Sequence, residues 1–472
     1  MTSEITQSSR ERDRGRPMKT MFLRIAVFGA VFLCQAALAG PLELSPDQQG
    51  DALIVPVWSA ASGNDTLITV RNNSEWAVAV KVRVIDRYGR EFAAFNLYLN
   101  DDDAWAGALT ASGDGSVLLS NDGSCMLTAE ETPPDVVILE PPGPRFGYLE
   151  IVEMARLPQD GSLGVSVITR WPDCDALAER FETGEWATDP AAGLIPPARN
   201  TGRISARVQI IDVAEGGMIS VPATALEGFS DIVQHTPPES PVPNLSTAHG
   251  ADTDSGLTES RVCTGAECRI LGWAQPVEAV ASVLLTGSLR GDVVLNPAIG
   301  GVTELVVTRP LKRYEASDEE GFAIEAEPGF VLFDREGAFV ESQTQTVLLS
   351  PPPPPKATPI SIPGFEADEA VGMVSFDVPP TDVGGFWSSI LGMFLIGSFS
   401  TDGTGFISGH AEIGFRQSTD QQLTSLEGVS LRGEAAIGLA VQQFTNGALE
   451  PDPETQVSVL SNYRTSETMT RR

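Results

Sequence analysis

Residues 90–109 read REFAAFNLYLNDDDAWAGAL, an alternating apolar run that stops at Asp101, Asp102 and Asp103, with Trp105 two residues on. Three carboxylates in a row invite a calcium reading, because a hard cation takes oxygen ligands. Yet successive side chains on an extended chain point to opposite sides, so three neighbours converge on one ion only if the loop curls. Calcium loops instead space their carboxylates at alternate positions, with a glycine and a distal glutamate. Asp114 and Asp122, in GDGSVLLSNDGSC, could fold back toward the cluster. Aspartate is also a good turn residue and a charged guard at a strand end. The sequence favours a strand-ending turn with Trp105 over the end of the core. Asp101, Asp102 and Asp103 stay as calcium candidates, and no other cofactor is implied.

The other reactive side chains are sparse. The three histidines are His235, His249 and His410. His410 follows Ser408-Gly409, so a serine and an imidazole two apart on a strand would share a face. A catalytic base also needs hydrogen-bonding geometry, which that spacing does not supply. GxSxG, HExxH, the phosphate-cradling GxxxxGK[ST] loop and GxGxxG are all absent from the sequence. A pair of glycosidase carboxylates leaves no spacing rule to search for. No catalytic residue is therefore assigned, and the chain reads as a non-enzyme. A secreted hydrolase with dispersed carboxylates is the alternative.

Export is written at the start. Lys19 and Arg24 precede the apolar run IAVFGAVFL, which leads to Ala37-Leu38-Ala39. That is a secretory leader with a cut after Ala39, too short to span a bilayer as a helix. Without residues 1–39, which hold six basic and three acidic side chains, the totals of 31 and 63 fall to 25 and 60, a formal charge of −35. Such a surface repels nucleic acid and anionic lipid. Four cysteines remain, and an even count in an exported chain implies disulfides. Cys263 and Cys268, in CTGAEC, can close a small loop, leaving Cys125 for Cys174; three pairings are formally open. Zinc fits poorly, since no CxxC pair or nearby histidine is present.

The elements that must position these residues are mostly strands. In WAVAVKVRVID, Val78, Val80, Val82 and Val84 should face a core, with Ala79, Lys81 and Arg83 outward. RYGRE then supplies Gly89 for a turn into FNLYLN, which makes an antiparallel hairpin. DTLITV, FGYLEIVEM, LGVSVIT, RISARVQIID, ASVLLTG, DVVLN, TELVVTR, FVLFD and IGLAVQQF read as further strands. Only DALAERFETGEW reads as a helix of any length. VGGFWSSILGMFLIGSFS is uncharged, but its glycines and serines and the lack of basic flanks favour a buried strand pair or short helix over a membrane span.

The fold class is all-β, with two or three antiparallel sandwich-like domains and proline-rich connections. The predicted order is a signal peptide over 1–39, a β-sandwich domain over 40–234, a polar proline-rich linker over 235–262, and a β domain over 263–472. The last is interrupted by a polyproline segment at 351–359.

ALIVPVWSAASGNDTLITVRN followed by VKVRVIDRYGREFAAFNLYLNDDDAW resembles the opening of a family of exported bacterial proteins, usually labelled hypothetical or cell-surface proteins. PVPNLSTAHG, SVLLTGSLRGDVVLNPAIGGVTELVVTRPLKRY, LFDREG and AVQQFTNGALEPDPETQVSVLSNYRTSETMTRR follow that family's order across most of the chain. Where the family typically resembles TDWVVTFPTKRF, this chain has TELVVTRPLKRY, and it lacks the cysteines often found after DRE. The resemblance implies export and a mostly β fold, and it carries no catalytic residues. It also favours a turn over chemistry at Asp101–Asp103. The function expected is a binding or structural component of the envelope or surface. Its partner would be an envelope protein or a glycan, without nucleic acid or an integral membrane span. Calcium-dependent surface adhesion is the second alternative.

Overall fold

Alternation builds the first hairpin as expected. Val80 lies opposite Leu97 and Val82 opposite Phe95, across the strands Val78–Asp86 and Glu91–Leu99. Gly89 turns the chain at φ 77°, a region where a Cβ would be strained. The Asp86 carboxylate locks the turn by accepting the N–H groups of Tyr88 and Arg90, at 2.9 and 2.8 Å. The structure, a computed structural model, describes residues 40–113, 115–128, 136–138, 145–159, 174–197, 203–249, 257–264, 267–315, 327–340, 360–361, 369–378, 386–395, 398–416, 422–446 and 461–472. The leader, the run LGVSVIT, Asp114 and the polyproline segment lie outside these residues.

The hairpin belongs to a seven-stranded antiparallel sheet. Its order is Glu43–Leu44, Thr224–Glu227, Ala52–Ser59, Phe146–Arg156, Val78–Asp86, Glu91–Leu99 and Cys125–Leu127. A six-stranded antiparallel sheet stacks on it, in the order Gly217–Pro222, Ile204–Asp212, Asn64–Asn72, Ala104–Ser112, Gly115–Leu119 and Val136–Ile138. Val80, Val82, Phe95 and Leu97 from the first meet Ile68, Val70 and Trp105 from the second in one core. Trp105 is fully buried, its ring 5.5 Å from that of Phe95.

A second pair of sheets follows. Ser408–Arg416 lies between Glu327–Asp334 and Ser288–Val294, with Thr470–Arg471 at one edge. The facing sheet has four strands in the order Val371–Ser375, Val302–Thr308, Ile437–Asn446 and Ser461–Thr468. Leu305 and Val307 point into the core between these two sheets, with Leu289, Phe330 and Ile413. Val306, Leu439 and Val441 point the other way and join the first core. A sheet covered on both faces needs apolar residues at successive positions, which is why TELVVT shows no polar alternation.

Two expectations change. Ala281–Gly287 was expected as a strand, but Pro276–Leu284 is a helix and only Leu285–Thr286 is extended. Pro276 opens the helix, and Gln275 and Glu278 form a reciprocal capping box. A helix buried on most sides shows no amphipathic stripe, so its apolar run looks strand-like. Helical structure is thus not confined to Cys174–Glu182, which forms as expected. Ala79, Lys81 and Arg83 do lie on the face away from the inter-sheet core, but all three are fully buried. Phe386–Trp387 pairs with Phe394–Leu395, so the uncharged segment contains a strand pair. Among the described residues no helix is long and apolar enough to cross a membrane.

Candidate functional site

Asp101–Asp103 form a turn, with Asp102 left-handed at φ 55°. Asp103 does the bonding: its carboxylate accepts the N–H groups of Ala104 and Asn100, at 2.8 and 3.3 Å. Asp101 and Asp102 point to solvent. Asp122 does fold back, and Ser124 Oγ lies 2.7 Å from Asp122 Oδ1 and 3.3 Å from Asp103 Oδ2. Two carboxylates therefore meet at one hydroxyl, which can donate to only one at a time. Among the described residues no group of three or more metal-ligating side chains forms.

The histidines are separated. His249 Nδ1 sits 2.5 Å from Asp231 Oδ1. His410 stacks on Phe333 with ring centroids 4.9 Å apart, and Ser408 Oγ is buried without a hydrogen-bond partner among the described residues, so the two are not joined. His235 is enclosed by Tyr98, Phe181 and Trp186. Its Nδ1 donates to the Pro190 carbonyl at 2.6 Å, which leaves Nε2 to accept from the Tyr98 hydroxyl at 2.7 Å. Burial pulls its pKa down to about 4, so the ring is neutral with one fixed tautomer. Both disulfides form, Cys125–Cys174 beside this cluster and Cys263–Cys268 across a hairpin.

The covered face of the seven-stranded sheet carries a set of charges, among them Lys81 and Arg83, which the alternation turns outward. Arg83 lies opposite Glu150, with Nη1 3.1 Å from Oε2 and both side chains inaccessible. Arg83 also pairs with Glu91, and the Tyr314 hydroxyl lies 3.1 Å from the Glu150 carboxylate. The residues from Pro310 to Tyr314 close this end, where the Tyr148 hydroxyl donates to the Pro310 carbonyl at 3.1 Å. Lys81 donates to the carbonyls of Pro237 and Pro238, at 2.7 and 3.1 Å, and Asn96 to Thr236 at 2.8 Å. Burial lowers the Lys81 pKa to about 7. The start of the expected linker thus lies across the sheet, and proline suits the task because it offers an acceptor and no donor. Thr258–Thr264, its other end, pairs with Glu267–Trp273. With Arg83 and Glu150 inaccessible and Glu91 23 % exposed, this network holds segments together and presents little surface to a substrate.

One opening offers such a surface. A groove of about 780 Å³ lies where Glu43–Leu44, Thr258–Thr264, the end of the helix Pro276–Leu284, Ser430–Leu431 and Thr470–Arg471 meet. Its volume falls in the range of small-ligand sites. Arg261, Arg432, Arg471 and Arg472 line it, with Glu43 as the one acid among the described lining residues. Arg261 is bonded to Glu43 at 2.8 Å. Arg471 donates from Nη1 and Nη2 to the carbonyls of Val283 and Leu285, both at 3.1 Å, which caps the helix end. Its Nε has no partner among the described residues, and burial lowers its pKa to about 10. Among the described residues Arg432, Arg471 and Arg472 have no acidic partner. Nothing in the spacing of the four arginines marks them as a group, because three separate segments supply them. No protein-family model, curated protein or solved structure matches the chain, so its functional reading rests on the chemistry of this groove.

Proposed function

We propose that the protein is an exported, non-enzymatic component of the cell envelope or surface that binds an anionic partner in the arginine-lined groove. The observation that carries the reading is the gathering of four arginines around one opening, in a chain with 31 basic and 63 acidic side chains. A guanidinium offers a planar fork of donors that matches an oxyanion, and it stays charged at any working pH. The surrounding negative charge disfavours a long polyanion such as nucleic acid, and leaves a compact anionic group as the better match. Export is supported by the leader over 1–39 and by two disulfides, which persist in oxidising compartments.

The test is binding of fluorescent short oligoglutamate and oligogalacturonate, with an uncharged dextran as control, to the wild type and to the Arg432→Glu, Arg472→Glu double variant. Both arginines are exposed, so the reversal should leave the fold intact. Binding of at least one anion, weakened by salt and by the reversal, is expected. Absence of binding at low salt, or equal binding by the variant, would overturn the assignment.

A further inference from the structure

We infer that the anion is an acidic peptide, bound in extended form as a strand added to the edges that frame the groove; this rests on the anion-binding reading above. Glu43–Leu44 is the edge strand of the seven-stranded sheet. It meets Thr258–Thr264 through one parallel bridge, Leu42 to Ser260. There Leu42 N–H donates to the Glu259 carbonyl at 2.9 Å, and Arg261 N–H to the Leu42 carbonyl at 2.8 Å. The next rung would join Leu44 to Arg261 and Cys263, and it is not made. Leu44, Arg261 and Cys263 all line the groove instead. The two strands separate and the groove opens between them.

Backbone alternation fixes where the free peptide groups point. Ser45 N–H donates to the Ala225 carbonyl, at 2.9 Å on the sheet side. The peptide groups of Leu44, one residue away, therefore turn from Thr224–Glu227 toward the opening. Arg261 already donates away from its hairpin partner, so Cys263, two residues on, faces the same way. The Cys263–Cys268 bridge, across directly opposed residues, ties that edge to its hairpin partner. An exposed row of this kind is a template for an added strand. The floor is apolar, with Val262, Val283, Leu285 and Leu431, and the rim is cationic. Alternating apolar and acidic side chains, one set down and one set out, match both at strand spacing.

The experiment measures fluorescence anisotropy with the purified full chain and three probes. The first is an acetylated, amidated octapeptide of alternating valine and glutamate. The second has the same charge with proline in place of two valines, which removes backbone donors. The third is an oligogalacturonate of equal charge. The expected result is binding of the first peptide and at least about tenfold weaker binding of the other two. Arg432→Glu with Arg472→Glu should abolish it. Leu44→Pro, which removes one outward N–H at an edge where proline is tolerated, should weaken the first peptide selectively. Each variant's melting curve reports its folding, and Arg471 is left untouched because it caps the helix. Equal binding of the proline peptide, or binding of the oligogalacturonate alone, would overturn strand addition and leave the anion site standing. Failure of all three probes would overturn both.

Discussion

Asp51 and Glu153 give the sharpest test of the buried charge described above. They are adjacent, with Glu153 N–H donating to the Asp51 carbonyl at 2.8 Å, and both side chains are inaccessible. Asp51 Oδ2 accepts from Gly228 and Phe229, at 2.8 and 3.3 Å, while Oδ1 and both Glu153 carboxyl oxygens have no partner among the described residues. Burial first, against those two N–H donors, raises the Asp51 pKa from 3.8 to about 7. Burial and then the Asp51 charge raise Glu153 well above its usual range. A group whose folded pKa is raised lends stability that is fully present below its unfolded pKa and is lost as pH rises through the folded value. For Asp51 the window runs from about pH 4 to about pH 7, and the shift of about three units corresponds to about 4 kcal/mol. His235 works the other way between about pH 4 and 6.5, because its folded pKa is depressed. The wild-type curve therefore mixes two opposed slopes, and a difference measurement is required. Asp51→Asn keeps an acceptor for Gly228 and Phe229 and removes the titration. Urea unfolding of both proteins at about pH 4, 5, 6, 7 and 8 should show the variant gaining on the wild type by up to about 4 kcal/mol as pH rises. A difference that stays constant across the range would refute the argument.

Other outcomes follow from the same structure. Glu150→Ala should cost about 3–5 kcal/mol in chemical unfolding, because Arg83 is left buried with half its compensation; a loss below about 1 kcal/mol would mean water reaches the pair. Removing Cys125–Cys174, which spans 49 residues, should cost about 4 kcal/mol, against about 2 for Cys263–Cys268, which spans 5; melting of the two double-alanine variants gives the order. Asp103→Ala should lower stability by about 1 kcal/mol through the lost turn bonds, and calcium should leave the melting temperature where chelator does. A calcium-dependent rise abolished by Asp103→Asn would make the turn a metal site.

The strands were legible where one face meets the core and the other does not. Val78–Asp86 and Glu91–Leu99 carry the two-residue period, a glycine turn and a matching register, so local pattern and tertiary structure agree. Legibility failed where burial is two-sided. The helix Pro276–Leu284 buries most of its surface and has no stripe to read, although Pro276 with Glu278 two residues later was a usable start signal. Lys81 and Arg83 obeyed the alternation, but a pattern of faces cannot say that a later segment will cover the polar one. The cover comes from about 155 and 230 residues away in the chain, at Pro237 and Tyr314. The groove was illegible for the same reason, since Arg261, Arg432 and Arg471 meet only after every strand is placed.

The distribution of cations ties these features together. Lys81, Arg83, Arg309 and Arg464 are all buried, in a chain already short of positive charge. Each joins segments distant in sequence: Lys81 to Pro237, Arg83 to Glu150, Arg309 to the Glu369 carbonyl, and Arg464 to Asp212 at 3.0 Å. Pairs of this kind bring little net stability, because desolvation offsets most of the attraction. Their effect is selective: a wrongly docked segment would leave a buried cation unpaired, at a cost of several kcal/mol. The interior holds acids as well, among them Asp51, Glu150, Glu153, Asp212 and Glu304, so the buried cations sit among buried carboxyls. In a chain with 31 basic and 63 acidic side chains, three arginines at one opening without acidic partners among the described residues are unusual. Repulsion among surface carboxylates costs the fold nothing specific, whereas a cationic cluster must be held together against its own repulsion. The disulfide-bridged hairpin and the capped helix end supply that support at the groove.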